Sequence, residues 1–239
     1  MHPPHFAVIL PEIPLKLNMK SSSEIIALLK KEILLEWKQK YALYGLLMYS
    51  LTMVFVISIG LQNTLPPQAW NVIFWVILLF VSVNAIAKSF MSETEGQVLY
   101  MYNLASAKSI ILAKLIYNCL LMSGISILTM FFFIFFAFNG EFGDILQYVV
   151  VVIVGSWTFA ANMSMVSAIA AKAKQRTTLL AVLSFPLVIP QMLVCLSASG
   201  KALQGQPWLD SVGEVAFLVS FIVIIVAVSV ILFPFLWRD

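Results

Sequence analysis

Residues 88–108 read KSFMSETEGQVLYMYNLASAK and stand between two long apolar runs. They form the longest polar interruption in a chain that is otherwise mostly apolar. Ser92-x-x-Glu95 has the form of a capping box, in which the serine side chain accepts an early backbone N–H and the glutamate reaches back. The box predicts a short helix over 93–104, with Val98, Leu99, Met101 and Tyr102 on its apolar side. Ser106 is placed to cap the long helix that follows. A short polar helix between two membrane-length runs belongs at the membrane surface, where a partner could push on it. Read alone, the same stretch is equally an ordinary connecting loop.

The flanking composition decides the class. The 239 residues are 62% hydrophobic and 10% charged, where a soluble domain carries about 25% charged residues. A soluble fold of this length has nowhere to bury so much apolar surface, so the sequence predicts an all-α integral membrane protein. The net charge of +3 gives no reason to expect nucleic acid. Cys119 and Cys195 fall in separate apolar runs, which argues against a disulfide, and there is no CxxC pair. His2 and His5 are the only histidines, in a proline-broken segment. We read residues 1–20 as a disordered or misassigned extension and 21–239 as one membrane domain.

Six apolar runs are expected to cross the bilayer, at about 42–61, 70–87, 109–138, 145–171, 178–198 and 214–236. Each meets or approaches the ~20 residues that span ~30 Å of hydrocarbon. With Lys114 counted in a basic region 88–114, the run interiors carry no Asp, Glu, Lys or Arg. That gives no sign of a proton relay. Every lysine and arginine except Lys201 falls on one set of loops, which predicts cytoplasmic termini. Trp70 and Trp208 then mark the outer interface, and the outer loops are 62–69, 139–144 and 199–213.

Before the first run, Ser21-x-x-Glu24 opens another helix. Ile26, Leu29, Ile33, Trp37 and Tyr41 share a stripe, with Glu24, Lys31 and Lys38 opposite; Leu28 and Leu35 fall outside it. We read an N-terminal amphipathic helix in the headgroup layer, its Lys30, Lys31, Trp37 and Lys38 meeting membrane lipid. The fourth run carries Ser156, Ala160, Ser164 and Ala168 at i+4 spacing, a face that lets another helix approach closely, within the subunit or in a homodimer. Asn162 and Asn84 are candidates to cross-link spans. In the fifth run, Pro186 and Pro190 remove two helix donors and favour a kink or a break.

No nucleophile–base set, metal cluster or GxxxxGK[ST] loop is present. The chain is therefore not expected to be an enzyme or to bind a cofactor directly, and any work it does draws ATP through a partner. A six-span ABC-2-like permease fits, with the 93–104 helix as a cytoplasmic coupling helix between spans 2 and 3. An exporter of lipid, drug or glycan, or a non-transport membrane scaffold, would share these features.

Three segments bear a more specific likeness: LLKKEILLEWKQKYAL at 28–43, SFMSETEGQVLYMYNLASAKSIILAKLIYN at 89–118 and VGSWTFAANMSMVSAIAAKAKQRTTLLAVLSFPLVIPQML at 154–193. In these the chain resembles the CcmB family, the haem-exporter permease subunits of bacterial cytochrome c maturation. The likeness covers roughly 23–199. Residues 1–18 have no counterpart in it, and Ser106 stands where a proline is expected. The resemblance implies a multi-pass protein of the bacterial inner membrane. It implies a CcmA-like ATPase, CcmC-like and CcmD-like membrane subunits and, indirectly, the CcmE-like haem chaperone as partners. It further implies that ATP frees the haem-loaded chaperone, with haem handled by the complex. Glu93, Glu95, Gly96, Tyr100 and Tyr102 are the expected ATPase-coupling residues: carboxylates for basic groups, aromatics as anchors and a glycine for close approach.

Overall fold

In a computed structural model, the described residues are 21–38, 40–61, 66–86, 105–136, 143–172 and 176–236. They form helices α1 (Ser21–Lys38), α2 (Lys40–Leu61), α3 (Pro67–Ile86), α4 (Ala107–Phe136), α5 (Ile145–Ala170), α6 (Arg176–Leu203) and α7 (Trp208–Leu236). Five of these, α3 to α7, contain segments long and apolar enough to cross a membrane. In α2 the apolar portion Tyr44–Gly60 is shorter. The protein is an all-α, multi-pass membrane protein.

The helices are arranged around α5, which packs against α3, α4, α6 and α7. Of its most apolar window, 67% is buried inside the protein, against 17% for α7. The difference separates a central helix from one turned largely to lipid. Exposed Val223, Ile224, Ile231 and Phe235 on α7 need no protein partner in a bilayer. Lipid tails are as apolar as leucine, so close packing and hydrogen bonds drive these helices together instead of hydrophobic burial.

Gly155 in α5 provides the closest packing. A Cβ there would stand 2.5 Å from Trp75 Cη2, 2.8 Å from Cζ3 and 2.9 Å from Cys195 Sγ. The missing side chain is thus filled by the Trp75 ring from α3 and the thiol from α6. The indole Nε1–H of Trp75 donates to Ser199 Oγ at 2.8 Å, tying α3 to α6. One turn away, Asn71 Nδ2 donates to the Leu196 carbonyl at 3.4 Å and accepts from Tyr148 OH at 3.2 Å, which joins α3, α5 and α6. Trp70, in the first turn of α3, is buried in the bundle and packs edge-on against Phe133 at 5.8 Å.

The last two spans are longer than the apolar runs predicted. In place of a 199–213 loop, α6 runs to Leu203 and α7 starts at Trp208. Polar residues are accommodated here because they satisfy one another. Lys201 Nζ meets the Glu214 carboxylate and donates to the Asp210 carbonyl at 2.5 Å, and Ser197 Oγ donates to Glu214 at 3.0 Å. Gly205 turns the chain with φ +66°. Gly143 lies directly against it, since a Cβ on Gly143 would fall 2.0 Å from the Gly205 nitrogen. Gly143 and Asp144 donate backbone N–H groups to Leu203 O (3.2 Å) and Ala202 O (3.0 Å), fastening the start of α5 to the end of α6.

Asp144 caps α5 by accepting the Gln147 N–H at 3.0 Å and also accepts the Trp208 indole N–H at 2.7 Å. The Gln147 N–H, aided by Trp208, holds its carboxyl below the usual carboxylate range. A carboxyl depressed on folding stabilises above its unfolded pKa, and that contribution disappears as pH falls through the lowered folded value. Asp144→Asn should therefore flatten the acid limb of a melting-temperature-versus-pH curve in detergent.

Gly155→Ala should destabilise the bundle by about 1–3 kcal/mol through overpacking. Gly124→Ala, at a helical glycine with open space around it, should be neutral or stabilise by up to ~1 kcal/mol. Thermal melts of the two variants in one detergent make the comparison; equal effects would remove the role given to Gly155.

Candidate coupling site

The start of α4 carries a second set of contacts, all with α1. Ser106 caps α4 as expected, its Oγ accepting the Ser109 N–H at 3.2 Å. The Ser106 N–H, in turn, donates to Glu24 Oε2 on α1 at 3.4 Å. Eight residues further along both helices, Glu32 Oε1 lies 3.7 Å from Lys114 Nζ. An equal step along two chains fixes their relation: α1 and α4 run parallel and in register over this length, about 12 Å at the helical rise. Between these contacts Leu28 packs on a cluster that includes Ile110, Ile111 and Leu115 of α4 and Phe233 of α7. Ser58 of α2 donates to the Phe136 carbonyl at the far end of α4, so α1 and α2 both ascend alongside α4.

Glu24, Leu28 and Glu32 are four residues apart and share one side of α1. Leu28, outside the predicted apolar stripe, is the residue that packs inward. The stripe residues Ile26 and Ile33 are exposed, and Lys30 and Lys31 are exposed beside them. Trp37 and Lys38 belong to the last turn of α1. Lys31 Nζ also lies 3.5 Å from Glu32 Oε1, leaving that carboxylate between two cations.

Lys114 corrects the sequence expectation. It was counted with a loop, yet it lies inside α4 with 2% of its surface exposed. A charge is tolerable there because α4 has 30 residues, about 45 Å of helix against ~30 Å of hydrocarbon. Its first two turns have room to stand clear of the lipid core, and Glu32 supplies the counter-charge.

The other predicted residues are distributed as follows. Ser156, Ala160, Ser164 and Ala168 are all buried in α5. Ser164 Oγ accepts from Asn118 Nδ2 of α4 at 2.8 Å. Pro186 and Pro190 lie within an α6 that continues unbroken from Arg176 to Leu203. Asn162 reaches across to α6, donating to Gln191 Oε1 at 3.3 Å. Asn84 does not cross-link spans: it is exposed and donates to the Phe80 carbonyl of its own helix at 2.8 Å. Glu93, Glu95, Gly96, Tyr100 and Tyr102, with the helix predicted at 93–104, lie outside the described residues. Among the described residues no group of three His, Cys, Asp or Glu side chains gathers to hold a metal.

The sequence reading missed Glu32, Lys114, Asn118, Gln147 and Gln191. Gln147 Nε2 donates to Ser211 Oγ at 2.8 Å, linking α5 to α7. A usable signal existed for the first pair, since Glu24 and Glu32 flank Leu28 on the side of α1 opposite its apolar stripe.

A family model described as CcmB protein matches residues 23–237. The chain belongs to the CcmB family. That span takes in all seven helices except the first residues of α1. No curated protein matches the chain. Membership makes it a permease subunit of the haem-exporter type, in the ABC system of cytochrome c maturation. The long apolar helices α3 to α7 thus belong to the membrane subunit of a transport system.

Within this CcmB-family chain, Glu32→Ala removes a carboxylate 3.7 Å from the buried Lys114 ammonium and should lower stability by roughly 1–3 kcal/mol, the scale of weakening the pairing of a buried charged group. Adding Lys114→Met should restore part of that loss, because the apolar replacement no longer needs a counter-charge. A double-mutant cycle on thermal stability measures the coupling; additive losses would show that the two residues act independently.

Proposed function

We propose that this chain is the membrane subunit of an ABC-type complex in which a CcmA-like ATPase drives release of the haem-loaded, CcmE-like chaperone. Supporting this reading is the in-register docking of α1 on the first turns of α4. The segment 87–104 joins α3 to those same turns, so a push on it would act on α1 and α4 together. The ATPase docks on segment 93–104, where the sequence predicts a helix. Glu93 and Glu95 offer carboxylates to its basic groups, Tyr100 or Tyr102 anchors the contact, and Gly96 allows close approach.

In this reading α2 is the first of six spans, both termini are cytoplasmic and the membrane is the bacterial inner membrane. The basic residues support the orientation, since only Lys201 falls on the opposite side. Lys30 and Lys31 of α1 then stand at the cytoplasmic headgroups. The small-residue face of α5 is occupied within the chain. The exposed apolar faces of α6 and α7 remain for lipid, for a second copy or for CcmC-like and CcmD-like subunits. ATP is bound by the partner, and haem is carried by the complex without a resident site in this chain. The product is mechanical work, with the chaperone leaving the haem-handling subunit.

Glu93→Lys with Glu95→Lys should leave membrane insertion intact, because neither residue enters lipid, while reducing ATPase co-purification and abolishing haem attachment to cytochrome c. All three are read in one strain; normal ATPase binding with normal maturation would remove the coupling role. Topology is tested by single cysteines in a cysteine-free background. A membrane-impermeant reagent added from outside should label Gln204→Cys and spare Gln175→Cys, and labelling of the latter would invert the orientation.

A further inference from the structure

At mid-bundle, Asn162 of α5 and Gln191 of α6 face each other with both side chains fully buried. Asn162 Nδ2 donates to Gln191 Oε1 at 3.3 Å. Asn162 Oδ1 and Gln191 Nε2 have no partner, so the pair keeps one buried acceptor and one buried donor. Turning both amides over leaves the same balance, one donor and one acceptor. A reciprocal amide pair would satisfy all four atoms, but the geometry closes only one of its two bonds.

The same stretches of α5 and α6 carry apolar side chains, Phe159, Met163, Val188 and Cys195 in the large cluster and Val166, Ala170 and Leu180 in a small one. Lipid offers no hydrogen bonds, and neither do these side chains. What completes the pair must both donate and accept, and it must fit between two packed helices. Water meets both conditions, and buried water characteristically joins groups left unpaired in this way.

We propose that Asn162 and Gln191 hold a buried water, which donates to Asn162 Oδ1 and accepts from Gln191 Nε2–H. The site adjoins the stretch of α6 with the weakest internal bonding. Pro190, immediately before Gln191, has no N–H for the Pro186 carbonyl, and Pro186 has none for that of Val182. A water-bridged contact at this point gives α6 a joint on α5, because a bridging water can exchange partners as the helices shift.

The test is X-ray radiolytic footprinting of the intact protein in detergent, which generates hydroxyl radicals at bound waters. Met163 adjoins Asn162 in sequence and is fully buried; Met122 is equally buried in the same apolar cluster. Met163 should be oxidised to the sulfoxide faster than Met122, and the excess should vanish in Asn162→Leu with Gln191→Leu. Met163 oxidation no faster than that of Met122 in the unaltered protein would overturn the proposal, whether or not the double variant folds. An excess that survives the double substitution would overturn it as well.

Discussion

The bundle depends on the contact between Trp75 and Gly155. A tryptophan ring lies where α5 has no side chain, and its N–H finds Ser199 on the third helix. In water such a ring would be driven inward by its area. In lipid that force is absent, so the gain comes from the dispersion contacts of a filled groove and from a hydrogen bond that hydrocarbon cannot offer. The hydrogen bonds of Asn71, Tyr148, Asn118, Gln147 and Asn162 follow the same rule, each joining α5 or α3 to a neighbour through neutral polar groups. Together they make α5 a fixed post.

Against that post, α1 and α4 form a pair of a different kind. Their contacts are charged and capping groups in register, gathered at one end of the bundle. Ionic contacts near the membrane surface are stronger than those in water and less costly than those in the lipid core. The arrangement suits an element that takes load, and membership of the CcmB family implies an ABC system to supply it.

The sequence made the class legible through composition and the five long apolar helices through length. It also made the Ser106 cap legible, because Ser106 is a capping residue directly before an apolar run. It did not reveal Trp75 or Gly155. The spans are apolar on all sides, so no periodicity marks which face is buried. Lys201 and Asp210 looked like a loop because their contacts, with each other and with Glu214, exist only once α6 and α7 are side by side. Lys114 looked like the end of a loop for the same reason, since its counter-charge lies 82 residues earlier in the chain.

The central claim is that α1 and α4 move as one body when the ATPase acts. Spin labels at Lys30→Cys on α1 and Phe131→Cys on α4, both exposed positions, with Cys119→Ser and Cys195→Ala, report the distance between them by pulsed electron paramagnetic resonance. In the complex assembled with its ATPase, the distance distribution should be the same with and without bound nucleotide. A nucleotide-dependent shift between these two labels would contradict the account.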